Sequence, residues 1–159
     1  MNRIILVAVF LVLGFSSNVL AHCEIPCGIY TDQLRTDLIA EHAKTIRKSM
    51  NKIEELSKDG DENYNQLIRW VDNKETHAKE VQEIVYQYFM TQRIKPVDSK
   101  DKDAYAKYMT EITLLHKMLR TAMKTKQTTD EANVDTLEEL LESFKMSYFG
   151  EDKAEHTHK

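Results

Sequence analysis

The sequence predicts an all-α protein, a four-helix bundle. Three observations carry this. Only 4 Gly and 2 Pro occur in 159 residues, so turns are few. Charged residues make up 30% of the chain, and Glu, Lys, Leu, Met and Gln, all good helix formers, are frequent. Apolar residues recur at steps of three and four, with no strand alternation and no internal repeat.

Four segments show this spacing. The first runs from about Asp32 to Ser57, with Leu34, Leu38, Ile39, Ile46, Met50, Ile53 and Leu56 on its apolar face. Asp59-Gly60 is expected to end it, Gly60 taking a left-handed cap. The second runs from about Glu62 to Gln92 through Leu67, Ile68, Val71, Val81, Ile84, Val85, Tyr88 and Phe89, and breaks before Pro96. The third, Asp101 to Lys126, carries Tyr105, Tyr108, Met109, Ile112, Leu115, Leu119 and Ala122. The fourth, Asp130 to Phe149, carries Val134, Leu137, Leu140, Leu141, Phe144 and Tyr148. Thr129 or Asp130 is expected to cap its start and Gly150 its end. Residues 31–150 thus form the bundle, and Glu151–Lys159 is expected to be a polar, disordered tail.

The first residues read differently. Asn2-Arg3 is a short positive start, Ile4–Phe15 is almost wholly apolar, and Val19-Leu20-Ala21 offers a small-residue cleavage site. That order is a signal peptide over residues 1–21. The apolar run falls short of the roughly 20 residues that a membrane span needs. The expectation is an exported protein, periplasmic or extracellular, matured by signal peptidase and free of the membrane afterwards. A net charge of −4 and the lack of a basic block argue against a nucleic-acid partner.

The helices alone carry no chemistry. A haem reading lacks Cys-x-x-Cys-His. A di-iron bundle wants Glu-x-x-His on two helices, and Glu41-His42, Glu75-Thr76-His77 and Glu111–His116 miss that spacing.

The two cysteines, Cys23 and Cys27, stand together just behind the cleavage site. A disulfide between them closes a tiny loop and stabilises little, because the gain grows with loop length. A cut after Ala21 makes His22 the first residue. Its α-amine becomes a free donor with a reference pKa of about 7.7–8.0. His22 then offers an amine and an imidazole, Cys23 a thiolate and its backbone nitrogen, and Cys27 a second thiolate. Square-planar N,S ligation favours Ni(II) or Cu(II) over tetrahedral Zn(II). Pro26 rigidifies the turn and Gly28 lets the backbone leave it. A plain Cys–Cys loop at a flexible terminus is the alternative on spacing alone.

His22-Cys23-x-x-Pro26-Cys27-Gly28-x-Tyr30 resembles the amino-terminal nickel hook of the nickel superoxide dismutases. Gln87-Tyr88-Phe89 followed by Arg93-Ile94-Lys95-Pro96 resembles the end of that family's second helix. The resemblance implies an N-terminal metal-binding hook, residues 22–30, on a four-helix bundle assembled as a homohexamer. It implies one nickel ion per subunit, held by His22, Cys23 and Cys27. It implies a cis Pro26, and a Tyr30 that positions superoxide or ordered water beside the open axial face. Glu24 stands where the family often has Asp. Asp37 takes the place of a family carboxylate that orients the axial imidazole, if one residue is missing after Tyr30. A family Arg on the second helix aligns roughly with His77, to which no role is assigned. The implied reaction is disproportionation of superoxide to dioxygen and hydrogen peroxide by Ni(II)/Ni(III) cycling. The rival is an exported nickel or copper carrier without enzymatic activity, for which His156 and His158 in the tail add slight weight.

Overall fold

Every regular element among the described residues is helical, and each helix follows from a local signal. The computed structural model describes residues 31–150. Helix α1 (Asp32–Leu56) begins where Thr31 Oγ1 accepts the Leu34 amide at 3.2 Å, satisfying one of the orphan donors of a helix start. A 3₁₀ turn, Ser57–Asp59, leads into α2 (Gly60–Glu83). The backbone then widens into a π-helix, π1 (Ile84–Arg93), closed by the Ile94 amide on Phe89 O at 2.8 Å. Helix α3 (Lys102–Gln127) starts at Asp101, whose Oδ1 accepts from the Ala104 amide. Helix α4 (Ala132–Phe149) ends at Gly150.

Several local expectations meet a different outcome. Gly60 does not end α1 with a left-handed cap. Its φ of −58° and ψ of −37° are helical, and it opens α2, two residues before the expected start at Glu62. The 3₁₀ turn absorbs the change of direction, so no positive φ is needed. The capping residue of α4 is Glu131, without a side-chain bond. Asp130 Oδ1 instead accepts from Ala132 N at 3.1 Å, one residue further out. Gly150 does close α4, at φ 83°, with its amide on Met146 O. Only glycine takes that angle without strain.

The helices run antiparallel in sequence order. α1 lies against α2 and α4, and α3 lies against the same two. Between them sit Ile39, Ala43, Ile46 and Met50 of α1, Ala78 and Val81 of α2, Val85 and Phe89 of π1, Leu115, Met118 and Ala122 of α3, and Val134, Leu137, Leu141 and Phe144 of α4. Each large buried side chain in that set contributes about 1.5–3 kcal/mol relative to exposure. The apolar stripes are narrower than the sequence suggests. Leu34, Ile68, Val71 and Met109 are exposed rather than buried. Ile68 and Val71 join Tyr64 as exposed apolar side chains on the first half of α2, ahead of its buried Ala78 and Val81.

Polar groups tie the helices at their ends. Arg47 of α1 donates to Glu131, Asp135 and Glu138 at 2.8–2.9 Å, reaching the first two turns of α4. Lys74, buried in α2, donates its ammonium to the carbonyls of Thr125, Lys126 and Thr128 at 2.8–2.9 Å. Those are the orphan acceptors at the end of α3, so one cation caps the helix and matches its dipole. Burial pulls the Lys74 pKa below its ordinary value, Glu75 opposing. No described helix is long and apolar enough to cross a membrane.

Lys74→Met keeps the stem and removes the three donors. It is expected to destabilise the protein by about 2–4 kcal/mol, the cost of buried carbonyls left unpaired. A shift of the urea midpoint at unchanged slope is the measurement.

Candidate metal-hook anchor and the family of the chain

The residue that fixes the start of α1 is Asp32, and both of its carboxylate oxygens are engaged. Oδ1 accepts from Tyr88 Oη at 2.7 Å and Oδ2 from Tyr148 Oη at 2.8 Å. Arg93 Nε forms an ion pair with Oδ1 at 2.7 Å, while Arg93 Nη2 donates to Tyr88 Oη at 2.7 Å. A short chain therefore runs from guanidinium to phenol to carboxylate. It joins α1, π1 and the last turn of α4.

The π turn makes this possible. Tyr88 and Arg93 are five residues apart, and the widened i to i+5 turn sets them one above the other. The same step recurs where Thr91 Oγ1 donates to Tyr86 O and Gln92 Nε2 to Gln87 O. Guanidinium carbons of Arg35 and Arg93 lie 5.0 and 4.9 Å from the Tyr88 ring centre, within cation–π range. Below, Phe89 meets Phe144 edge-on at 4.9 Å, and Phe144 stacks on Tyr148 at 5.3 Å. Burial and the Asp32 carboxylate both push the Tyr88 and Tyr148 phenols upward, so each keeps its donor hydrogen. Arg93 is raised chiefly by its bond to Tyr88, with Asp32 adding to it.

This anchor stands two residues after Tyr30. The expected leader Met1–Ala21, the hook residues His22, Cys23, Glu24, Pro26, Cys27, Gly28 and Tyr30, and the tail Glu151–Lys159 lie outside the described residues. Among the described residues, no group of three His, Cys, Asp or Glu side chains is placed to hold a metal ion. Asp37 is exposed and accepts from Gln33 Nε2 at 2.9 Å. It lines a cavity of about 560 Å³ between α1 and α4 with Glu41, Lys44 and Lys145.

His77 meets a different partner from any the sequence suggests. Its Nδ1 lies 2.8 Å from Nδ1 of His42, across the seam of α1 and α2, with the rings tilted by 51°. Such a contact needs one N–H and one bare nitrogen, so the pair holds one proton between the two facing atoms. Burial first, and His77 second, hold the His42 pKa below its ordinary 6.5, against Glu80 and Glu41.

Sequence reasoning missed Asp32, which looked like an ordinary acid in a first helical turn, and missed Arg93 and Tyr148 as its partners. Tyr88 reads as part of an apolar face, and Arg93 only as a likeness to a helix end. The usable signal was the five-residue spacing of two polar groups inside an apolar run.

With its first helix anchored just behind both cysteines, the chain matches a metal-dependent oxidoreductase. Residues 17–153, most of the sequence, match the family model for nickel-containing superoxide dismutase. The chain belongs to that family, and its activity is the conversion of superoxide to dioxygen and hydrogen peroxide with nickel as cofactor. The reading as a metal carrier is not favoured by that match. Neither curated proteins nor solved structures give a match.

Two measurements follow from this geometry. Asp32→Asn leaves Arg93 without its ion-pair partner and is expected to cost about 2–4 kcal/mol, allowing for partial exposure of the pair. Amide hydrogen exchange should accelerate first in the opening turn of α1. The second concerns acid. The unfolded chain takes up a proton at His42 at higher pH than the folded protein does, so stability is full above about pH 6.5 and falls as pH drops below it, by at most about 1.4 kcal/mol per pH unit for one proton. His42→Phe should flatten that decline in thermal melts recorded across the range.

Proposed function

We propose that the nickel of this dismutase is held by the hook His22–Tyr30, one ion per subunit. The supporting observation is that the family match spans the segment carrying the chain's only two cysteines. The donor set fits the metal. Two thiolates, an amine and a deprotonated backbone amide would be an N,S donor set of the kind that suits Ni(II). When bound, nickel supplies one-electron chemistry between Ni(II) and Ni(III), reached because thiolate and amidate donors lower the potential.

The chain's own residues do the rest. His22 would hold the metal through its freed α-amine and its imidazole. Cys23 provides its amide nitrogen and thiolate, and Cys27 the second thiolate. Pro26 and Gly28 shape the turn that brings the two sulfurs together. Tyr30 would hold substrate or ordered water beside the metal through its hydroxyl. Glu24 and Asp37 are carboxylates of the surrounding shell, Asp37 orienting the imidazole. Two superoxide anions and two protons give one dioxygen and one hydrogen peroxide, so the residues around the hook must also pass protons inward.

The anchor at Asp32 bears on this mechanism. A short hook gains its geometry from what lies beneath it. Thr31 and Asp32 hold the first turn of α1, so the segment ahead of them leaves from a fixed point.

Maturation belongs to the same proposal. Signal peptidase removes Met1–Ala21 and so creates the amine ligand, and the mature protein acts outside the cytoplasm. The antiparallel helices form a four-helix bundle, and copies assemble as a homohexamer. The exposed Tyr64, Ile68 and Val71 stripe on α2 supports self-association, because apolar rows of that kind are rarely left bare.

Amino-terminal sequencing with metal analysis is the direct test, and a mature chain starting elsewhere than His22 overturns the ligand set. One extra residue before His22 turns the amine into an amide and is expected to lower activity more than about 100-fold. Cys23→Ser and Cys27→Ser should each do the same with nickel supplied.

A further inference from the structure

A second cavity shares its wall with the Asp32 anchor. It measures about 250 Å³ and is lined by Arg93, Lys95, Lys107, Tyr108, Glu111 and Tyr148, among others. Arg93 and Tyr148 are the same side chains that bond Asp32. The cavity therefore opens beside the first turn of α1.

Glu111 is its unusual member. It is 6% exposed, and its Oε1 is buried without a hydrogen-bond partner. Lys107, one turn earlier on α3, holds its ammonium 3.7 Å away, beyond hydrogen-bond reach, and is itself 57% exposed. Burying an ionised carboxylate without partners is costly, and taking up a proton is the usual escape. Burial indeed pushes the Glu111 carboxyl upward, against lowering by Lys107 and Ser147. Lys107 on its own helix and Ser147 from α4 act directly on it, and the cavity wall also carries Tyr108, Tyr148, Lys95 and Arg93, the last paired with Asp32.

Three cations and one buried acid thus line this cavity, with Arg93 already balanced by Asp32. With Glu111 neutral, Lys95 and Lys107 give the wall its net positive charge. An anion entering this space is attracted by the cations and repelled by an ionised Glu111. It is admitted most readily when Glu111 carries its proton.

We propose that this cavity takes up a small inorganic anion together with a proton, with Glu111 as the proton-holding group, and that superoxide is the anion it receives in the working enzyme. The reaction needs this pairing: two superoxide anions and two protons give dioxygen and hydrogen peroxide, one superoxide losing an electron and the other gaining it. The Glu111 O–H supplies one of the two protons that the reduced dioxygen takes on becoming hydrogen peroxide. The carboxylate left behind takes a proton back from solvent past exposed Lys107. The inference rests on the family's dismutase reaction and on the hook lying just ahead of Thr31, but its first test needs neither nickel nor activity.

That test is infrared difference spectroscopy of the full chain, metal-free, with nitrate as a redox-inert probe anion. A carboxylic-acid carbonyl band is expected that disappears in Glu111→Gln and titrates above the ordinary carboxyl range. Nitrate should move its midpoint up by about one pH unit, the size of effect expected of one nearby charge. Lys107→Met gives a crossed result: the band persists to higher pH, while the nitrate concentration needed for the shift rises severalfold. A purely structural Glu111 gives no nitrate-dependent shift, and that result overturns the proposal whatever the state of the hook. In the nickel-loaded enzyme, Glu111→Gln should lower the rate about tenfold or more at alkaline pH and less at acidic pH, where solvent supplies protons freely. An unchanged pH profile with nickel fully bound overturns it equally. The variant removes a buried ionisable group, so its fold is expected to hold, and a thermal melt checks this.

Discussion

One carboxylate organises the end of the molecule where the chemistry is expected. Asp32 spends both oxygens on partners from two other helical elements, a phenol of π1 and a phenol of α4, and balances its charge against Arg93. Helix starts fray because their first amides lack partners. Here the first turn is held twice, by the Thr31 cap and by the Asp32 bonds. Charge-assisted bonds of this kind are each worth about 1.5–3 kcal/mol when sheltered. The aromatic cluster of Phe89, Phe144 and Tyr148 supplies the shelter.

The anchor depends on an irregularity. An α-helix would put Tyr88 and Arg93 on different faces, since five residues exceed one turn by more than a third of a turn. The π geometry of Ile84–Arg93 aligns them, and the hydrophobic positions of the same stretch, Ile84, Val85, Tyr88 and Phe89, remain buried. Widened turns often sit at functional places for this reason. They aim a polar pair without giving up the core.

Much of the scaffold was readable in advance. Three- and four-residue steps mark the helices, and Gly150 caps where turn chemistry puts it. Boundaries slipped where a glycine had two uses: Gly60 is a helix starter here, because a 3₁₀ turn does the bending. The buried faces were over-read at Leu34, Ile68, Val71 and Met109, because apolar spacing identifies a stripe but not its angular width. The polar ties were not readable. Lys74 looks like any surface lysine, and its three carbonyl partners lie some fifty residues away. Arg47, His42 and Glu111 owe their environments to neighbouring helices in the same way. The proposed hook stands out as a motif for the opposite reason: its donor residues, His22, Cys23 and Cys27, lie within a few positions of one another in the sequence.

The bond from Tyr148 to Asp32 fastens the final turn of α4 to the opening turn of α1. The two limits of the described chain, Thr31 and Gly150, accordingly emerge at one pole. Whatever is joined beyond Gly150 begins beside the first turn of α1. If nickel sits in the proposed segment ahead of Thr31, a polyhistidine purification handle appended there would be a competing ligand at high effective concentration. Engineering of this protein is better directed to the opposite pole, where the 3₁₀ turn Ser57–Asp59 and the short link before α4 lie far from that chemistry.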